Sequence, residues 1–226
     1  MLRRINAYDQ KLIRVKEQLL TMSDITGRQL KEAVDSFIQL DDSAAQRVIA
    51  GDEVIDSLDE TLEMESLLLL SIQQPTDYDL RFLAAAMRIS RELERIGDYA
   101  CDIAEATLQL GEKTPDYQPL VDLPRLCRMV QQMMKKSLQA YLEKDLQSAR
   151  QMDDDDNEVD RLFLSILDKL TEYMKKGPEY VDQASSILLV TRYLERVGDH
   201  VVNISEMNIF TETGIRHPFK QKVIEG

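Results

Sequence analysis

Tryptophan is absent from this 226-residue chain, and cysteine and histidine occur only twice each. Cys101 and Cys127 stand outside any Cys-x-x-Cys pattern, so neither a disulfide framework nor a thiolate metal motif is signalled, and a reducing cytoplasm is the expected setting. With only His200 and His217, a Ser-His-Asp mechanism has little to work with. Glycine is scarce at eight residues, and neither a Gly-x4-Gly-Lys-Ser/Thr phosphate loop nor a Gly-x-Ser-x-Gly elbow is present. Positive charge is outnumbered, 28 Lys+Arg against 41 Asp+Glu, for a net charge of −13. That balance disfavours nucleic acid and adsorption to anionic lipid. Long hydrophobic runs are missing too. The uncharged apolar stretches 66–76 and 183–191 fall short of the ~20 residues a membrane helix needs, and they read as buried helix segments. No apolar run follows Arg3 and Arg4, so no secretory signal is expected.

What is present is helix. Hydrophobic residues make up 43% of the chain, enough for a packed core despite the acidity. Leu12, Val15, Leu19 and Met22, then Leu30, Val34 and Phe37, follow the helical period. Met129, Met133 and Met134 sit at core spacing. Breakers fall at Pro75, in the Pro-rich stretch 111–124 and at Gly177-Pro178, with a tail after Gly214. The pattern predicts an all-α fold of six long helices, near 5–40, 42–73, 76–110, 121–144, 146–176 and 179–210. Short connections make them two tandem, pseudo-symmetric three-helix bundles. The expected division is a first repeat at 1–112, a second at 113–212 and a tail at 213–226.

The chain repeats itself. Residues 91–106 read RELERIGDYACDIAEA and residues 192–207 read RYLERVGDHVVNISEM, with Glu94 and Glu195 101 positions apart. Each copy places Glu-x-x-x-Asp on one helix face: Glu94 with Asp98, and Glu195 with Asp199. One turn further stand Asp102 and Asn203. The preceding helix of each half carries Asp52-x-x-x-Asp56 and Asp156-x-x-x-Asp160. Counted from the turn between the helices, at ~1.5 Å per residue, these pairs sit at the height of the Glu-x-x-x-Asp pairs. Gly97 and Gly198 recur beside the stripes, and a mid-helix glycine costs ~1 kcal/mol against alanine, so something is expected to approach closely there.

Clustered carboxylates call for a hard or borderline cation: Mg, Ca, Mn, Fe or Zn. The shortage of histidine and thiolate argues against dedicated copper or structural zinc. The competing reading is ordinary ion pairing, since Arg91, Arg95, Arg192 and Arg196 each precede a carboxylate by three residues. Elsewhere the ordinary reading is preferred. Asp59 and Glu63 are expected to be solvated, and His200 is expected to be an interhelical hydrogen-bonding residue. The run 153–158 (DDDDNE) opens like an EF-hand loop, but Glu158 replaces its glycine and Leu164 its closing glutamate.

The duplicated Leu-Glu-Arg-Ile/Val-Gly-Asp, with LERVGDHVVNISE at 194–206 and the Pro75-x3-Asp79-Leu80-Arg81 signature, resembles the PhoU family of phosphate-transport regulators over about residues 8–210. The resemblance implies two three-helix bundles whose Glu/Asp-x-x-x-Asp motifs bind metal clusters. Glu94, Asp98, Glu195 and Asp199 would be motif ligands, faced by Asp52, Asp56, Asp156 and Asp160. Two departures stand out. Asp102 occupies the place of the family's usual asparagine, seen here at Asn203, and residues 178–181 lack the Asp-Leu-Arg signature.

The implied role is a non-enzymatic cytoplasmic adaptor, peripheral at the inner membrane only through its partners. It would couple the ATPase subunit of the phosphate ABC transporter to a membrane sensor histidine kinase, acting as a negative regulator of the starvation response and uptake when phosphate is plentiful. A homodimer is expected, with no nucleic acid and no direct membrane insertion. Two alternatives remain open: a carboxylate-bridged di-metal bundle enzyme, for which the usual Glu-x-x-His is missing, and a PhoU-like accessory of another ion transporter.

Overall fold

A computed structural model describes residues 7–72, 75–110 and 122–216. The expected linker at 111–121, His217 and the tail beyond it lie outside the described residues. The described chain is helical throughout: α1 (Ala7–Gln39), α2 (Asp42–Ile72), α3 (Asp77–Leu110), α4 (Leu123–Glu143), α5 (Leu146–Arg150), α6 (Met152–Met174) and α7 (Val181–Thr213). α1, α2 and α3 pack together as one three-helix bundle, and α4, α6 and α7 as a second. α3 lies against α7 at the centre, so the third helices of the two halves form the seam.

The repeat extends into the turns. Leu40 and Lys144 both take left-handed backbone (φ 54° and 63°) after the first helix of each half. Asp41 and Asp145 follow, and their carboxylates accept backbone N–H bonds from Ala44 and from Gln147 and Ser148, capping the next helix. The Ser43 side chain at Asp41 and the Ser148 side chain at Asp145, together with these backbone bonds, hold both carboxyls below the usual range. At the other end, Gly214 (φ 72°) donates its N–H to the Phe210 carbonyl and stops α7, as a left-handed cap does.

Two expectations need correcting. The helix predicted over 146–176 is interrupted at Gln151, giving a one-turn α5 and a long α6. The break gives α6 its own N-terminus, and Asp153, Asp154 and Asp155 occupy its first turn, where the helix dipole favours negative charge. The aspartate run is thus a helix start. The second correction concerns the apolar stretch 66–76. Ser66 and Leu69 are buried, but Leu67, Leu68 and Ile72 are exposed, as is Met64 one turn earlier. An outer helix of a three-helix bundle buries one stripe, and this run is apolar on every face.

The core runs unbroken through both halves. Val15, Leu19, Met22, Leu30 and Phe37 are buried as their spacing predicts, and Met133 and Met134 join them. Tyr141 is fully buried, stacks on Phe82 at 5.1 Å and donates its hydroxyl to the Phe82 carbonyl at 2.6 Å, tying the second half to the first. Arg81 adds a bond from Nε to the Thr211 carbonyl at 2.8 Å. On the seam, Glu92 Oε2 bonds His200 Nδ1 at 2.7 Å and accepts from Asn203 Nδ2 at 3.0 Å. Tyr99 packs against Tyr193 and His200 beside this cluster. His200 therefore has the interhelical role its sequence position suggests. Among the described residues no helix is long and apolar enough to cross a membrane.

Candidate metal centre

Each half presents its carboxylates where the second helix meets the third. The close approach hinted at by the recurring glycines is made by an aspartate. A Cβ placed on Gly97 would lie 3.3 Å from Asp52 Oδ1 and 3.1 Å from Ile55 Cδ1. A Cβ on Gly198 would lie 3.1 Å from Asp156 Oδ1. A methyl at either position would require its neighbour to give by a few tenths of an ångström: Ile55 and Asp52 at Gly97, Asp156 at Gly198. The antiparallel hairpin thus aligns Asp52 with the Glu94–Asp98 turn and Asp156 with the Glu195–Asp199 turn.

Burial is uneven. Glu94, Glu195 and Asp156 are 8%, 7% and 4% exposed, a costly placement for charge unless it is neutralised. Asp52, Asp98, Asp160 and Asp199 are half-buried, and Asp56 is exposed one turn beyond Asp52. Arginines from the same helix supply the neutralising charge. Arg91 donates to Glu94 at 2.9 Å and Arg95 to Asp98 at 3.1 Å. In the second half Arg192 donates to Glu195 and Arg196 to Asp199, both at 3.1 Å. These are the i,i+3 pairs the sequence foreshadows. Asp59 was expected to be solvated; it is instead half-buried and paired with Arg91 at 3.5 Å, whereas Glu63 is exposed. A long arginine reaches across the interhelical groove, a contact sequence spacing along one helix does not reveal.

The first cluster remains electrostatically strained. Burial, and then the neighbouring Asp98, hold the Glu94 carboxyl above its ordinary range, with Arg91 and Arg95 opposing. Burial likewise raises Asp52, opposed by donation from Cys101 and Gln29 and reinforced by Asp56 and Asp98. Asp102 is raised by burial and by Glu105 and Asp98. The buried Oε2 of Glu94 accepts no hydrogen bond, and its nearest cation, Arg95 Nε, is 3.8 Å away.

Among the described residues, no three Asp, Glu, His or Cys side chains form a ready-made metal cage. Glu94, Asp98, Glu195 and Asp199 each point to an arginine. The donor set nonetheless fits a hard cation: oxygen ligands from two helices, a glycine notch that admits the facing aspartate, and mutual repulsion that a cation would relieve. Not every sequence candidate belongs with the cluster. Asn203 is turned to the seam, bonded to Glu92. Asp102 is half-buried one turn beyond Asp98. At ~100° per residue, a position eight residues after Glu94 or Glu195 has rotated ~80° away from it.

One member was missed. Cys101 lies seven residues after Glu94, which brings it back to within ~20° of the same face, and its sulfur lies 3.8 Å from Gln29 Nε2. Burial and the acidic neighbours push that thiol well up, so it is held protonated. The angular count alone would have found it.

Comparison with known proteins agrees with the repeat and the fold. The PhoU domain model matches residues 19–107 and 123–207, one stretch in each half. The chain is 34% identical over 203 residues to the phosphate-specific transport system accessory protein PhoU homolog 1 of Methanothermobacter thermautotrophicus, covering 88% of this chain and 93% of that one. It is 34% identical over 210 residues to the PhoU homolog of Caulobacter vibrioides, covering 93% and 91%. The crystal structure of PhoU from Pseudomonas aeruginosa superimposes with a TM-score of 0.85 at 30% identity, over 92% of this chain and all of that one. The phosphate transport system regulatory protein PhoU from Streptococcus pneumoniae shares the fold, with a TM-score of 0.86 at 24% identity over 94% of this chain and all of that one. With both halves matched, the duplicated motif in place and the same fold, this chain belongs to the PhoU family.

Proposed function

We propose that this protein is a non-enzymatic, metal-binding accessory of phosphate transport, working in the cytoplasm as an adaptor. It couples the ATPase subunit of the phosphate ABC transporter to a membrane sensor histidine kinase and restrains uptake and the starvation response when phosphate is plentiful. The relatives named as phosphate-specific transport accessory proteins support the transport role. The observation that carries the metal reading is the duplicated notch, with Asp52 seated over Gly97 and Asp156 over Gly198 beside Glu94–Asp98 and Glu195–Asp199.

Glu94, Asp98, Asp52 and Asp56 would hold the cation of the first half, and Glu195, Asp199, Asp156 and Asp160 that of the second. A bound Fe, Zn, Mn or Mg ion would supply positive charge that compensates the repulsion among the carboxylates. Arg91 and Arg95 in the first half, and Arg192 and Arg196 in the second, would be released when their carboxylates are engaged, leaving two guanidinium groups beside each cluster. A homodimer would present such surfaces twice to partner proteins.

Elemental analysis of protein purified without chelator, beside an Asp98→Asn/Asp199→Asn variant, tests this reading. Metal at or above one ion per half in the wild type, lost in the variant, is the expected result. Wild-type protein that stays metal-free and rejects added Fe, Mn, Zn and Mg would reduce the stripes to salt-bridged helix faces.

A further inference from the structure

Two stripes of charge lie outside the duplicated pattern. α2 carries eight Asp or Glu against Arg47 alone, whereas α4 carries Arg125, Arg128, Lys135 and Lys136 against Glu143 alone. On α4, Arg125, Arg128, Gln132 and Lys135 are all exposed and stand at i, i+3, i+7 and i+10, on one face of the helix. On α2, Glu53, Asp56, Glu60 and Glu63 are exposed at the same intervals. Each stripe is ~15 Å long. Lys136 is held by Asp155 and Arg47 by Glu32, but among the described residues Arg125, Arg128 and Lys135 form no ion pair, and neither do Glu53, Glu60 and Glu63. The register of the left-handed residues Leu40 and Lys144 puts the mixed set Thr21, Asp24, Arg28 and Lys31 at the places of the α4 stripe. The Asp56–Asp160 register puts Asn157, Asp160, Leu164 and Leu167 at the places of the α2 stripe. The acidic stripe thus belongs to the first half alone and the basic stripe to the second.

We propose that the α4 stripe of one copy of this chain docks antiparallel on the α2 stripe of a second copy. The 3-4-3 spacing reads the same in both directions, so antiparallel pairing sets Arg125 against Glu63, Arg128 against Glu60 and Lys135 against Glu53. The neutral Gln132 then falls opposite Asp56, which stays available to the first carboxylate cluster. At a net charge of −13 two copies repel, so they meet best where one of them is positive. Opposed unlike charges steer that encounter and fix its register, while α4 on α4 or α2 on α2 would set like charges together. A row of exposed ion pairs is weak by itself. Met64 and Leu67, 67% and 46% exposed, extend the same α2 face beyond Glu60 and add apolar area to the contact. The contact stands apart from the metal reading, since none of its paired residues belongs to either cluster.

Sedimentation velocity of the full chain at about 0.05 M and about 1 M NaCl tests it, because the screening length at the higher salt is only ~3 Å. The expected result is self-association at low salt, with a dissociation constant at least about tenfold higher at high salt. Two charge-reversed variants sharpen the test: Arg125→Glu/Arg128→Glu/Lys135→Glu and Glu53→Lys/Glu60→Lys/Glu63→Lys. Each should be monomeric alone at low salt, with its helix content unchanged by circular dichroism. Their equimolar mixture should associate again, because the basic α4 of the second variant meets the acidic α2 of the first. Wild-type protein that is monomeric at low salt would overturn the proposal and leave the α4 stripe to an acidic partner of another kind. Self-association that high salt does not weaken, or helical variants whose mixture stays monomeric, would overturn it too.

Discussion

In the first half Arg91 reaches across the groove to Asp59, whereas in the second Arg192 lies 5.9 Å over the ring of Phe163, at the matching position. The same arginine, repeated on the same helix face, meets a carboxylate in one half and an aromatic face in the other. The pattern continues downward. Cys101 and Gln29 underlie the first cluster where Val202 and Met133 underlie the second. At the seam the roles reverse, with Glu92 and Tyr193 exchanged and His200 facing Tyr99. The duplicated backbone keeps the carboxylate pairs and their glycines, while the flanking side chains make the halves chemically unequal. What the two halves share is the carboxylate pair with its glycine, and what they do not share is the surroundings of each pair.

The largest test of the shared part is in the core. Leu93 and Leu194 are both fully buried one residue before their glutamates. Leu93→Ala and Leu194→Ala should each cost about 2–5 kcal/mol in urea denaturation. Because α3 and α7 are packed together, each variant should still unfold in one transition; separate transitions for the two halves would show that the seam does not couple them. A smaller effect is expected at the notches. Gly97→Ala and Gly198→Ala gain ~1 kcal/mol of helix propensity and lose ~1–3 kcal/mol to overcrowding, for a net loss up to about 2 kcal/mol. The loss should be larger at Gly97, where Ile55 and Asp52 both crowd the new methyl, than at Gly198, where only the Asp156 carboxylate is tight. Chemical denaturation and metal content together read this out, with metal lost from the altered half alone.

The smallest effect is in pH. Asp52 and Glu94 are raised in the fold, so the native state binds more protons than the unfolded chain as pH rises from their ordinary values of 3.8 and 4.5. Their contribution to metal-free stability is fully present below those values and is lost as pH rises through the folded ones. Asp52→Asn should flatten that decline in thermal melts taken across the window and leave the acid limb set by the Asp41 and Asp145 caps unchanged. Those carboxyls are lowered, so their contribution is present above the ordinary value and lost as pH falls. An undiminished slope in Asp52→Asn would mean that Asp52 contributes nothing to the asymmetry between the halves.

The helices, their turns and the pairing of the carboxylates were legible in sequence because they follow short-range rules. Helical periodicity, the glycine that recurs beside each stripe and the similar spacing of Asp52 and Asp156 from their turns are all set within one hairpin, whereas the capping by Asp41 and Asp145 emerged only in the fold. The interruption at Gln151 was not, because the chain stays helical on both sides and no proline or glycine marks it. Nor was the exposure of Leu67, Leu68 and Ile72, since an apolar run carries no record of which side its neighbours cover. The sequence by itself determined an all-helical, twice-repeated chain with paired carboxylates in each half. Only tertiary packing decided that Asp59 joins the first cluster, that Asn203 and His200 leave the second for Glu92, and that Gln29 from α1 meets Cys101 from α3 beneath Asp52. Those contacts join residues distant in the chain, and side-chain reach across a groove depends on where the helices come to rest.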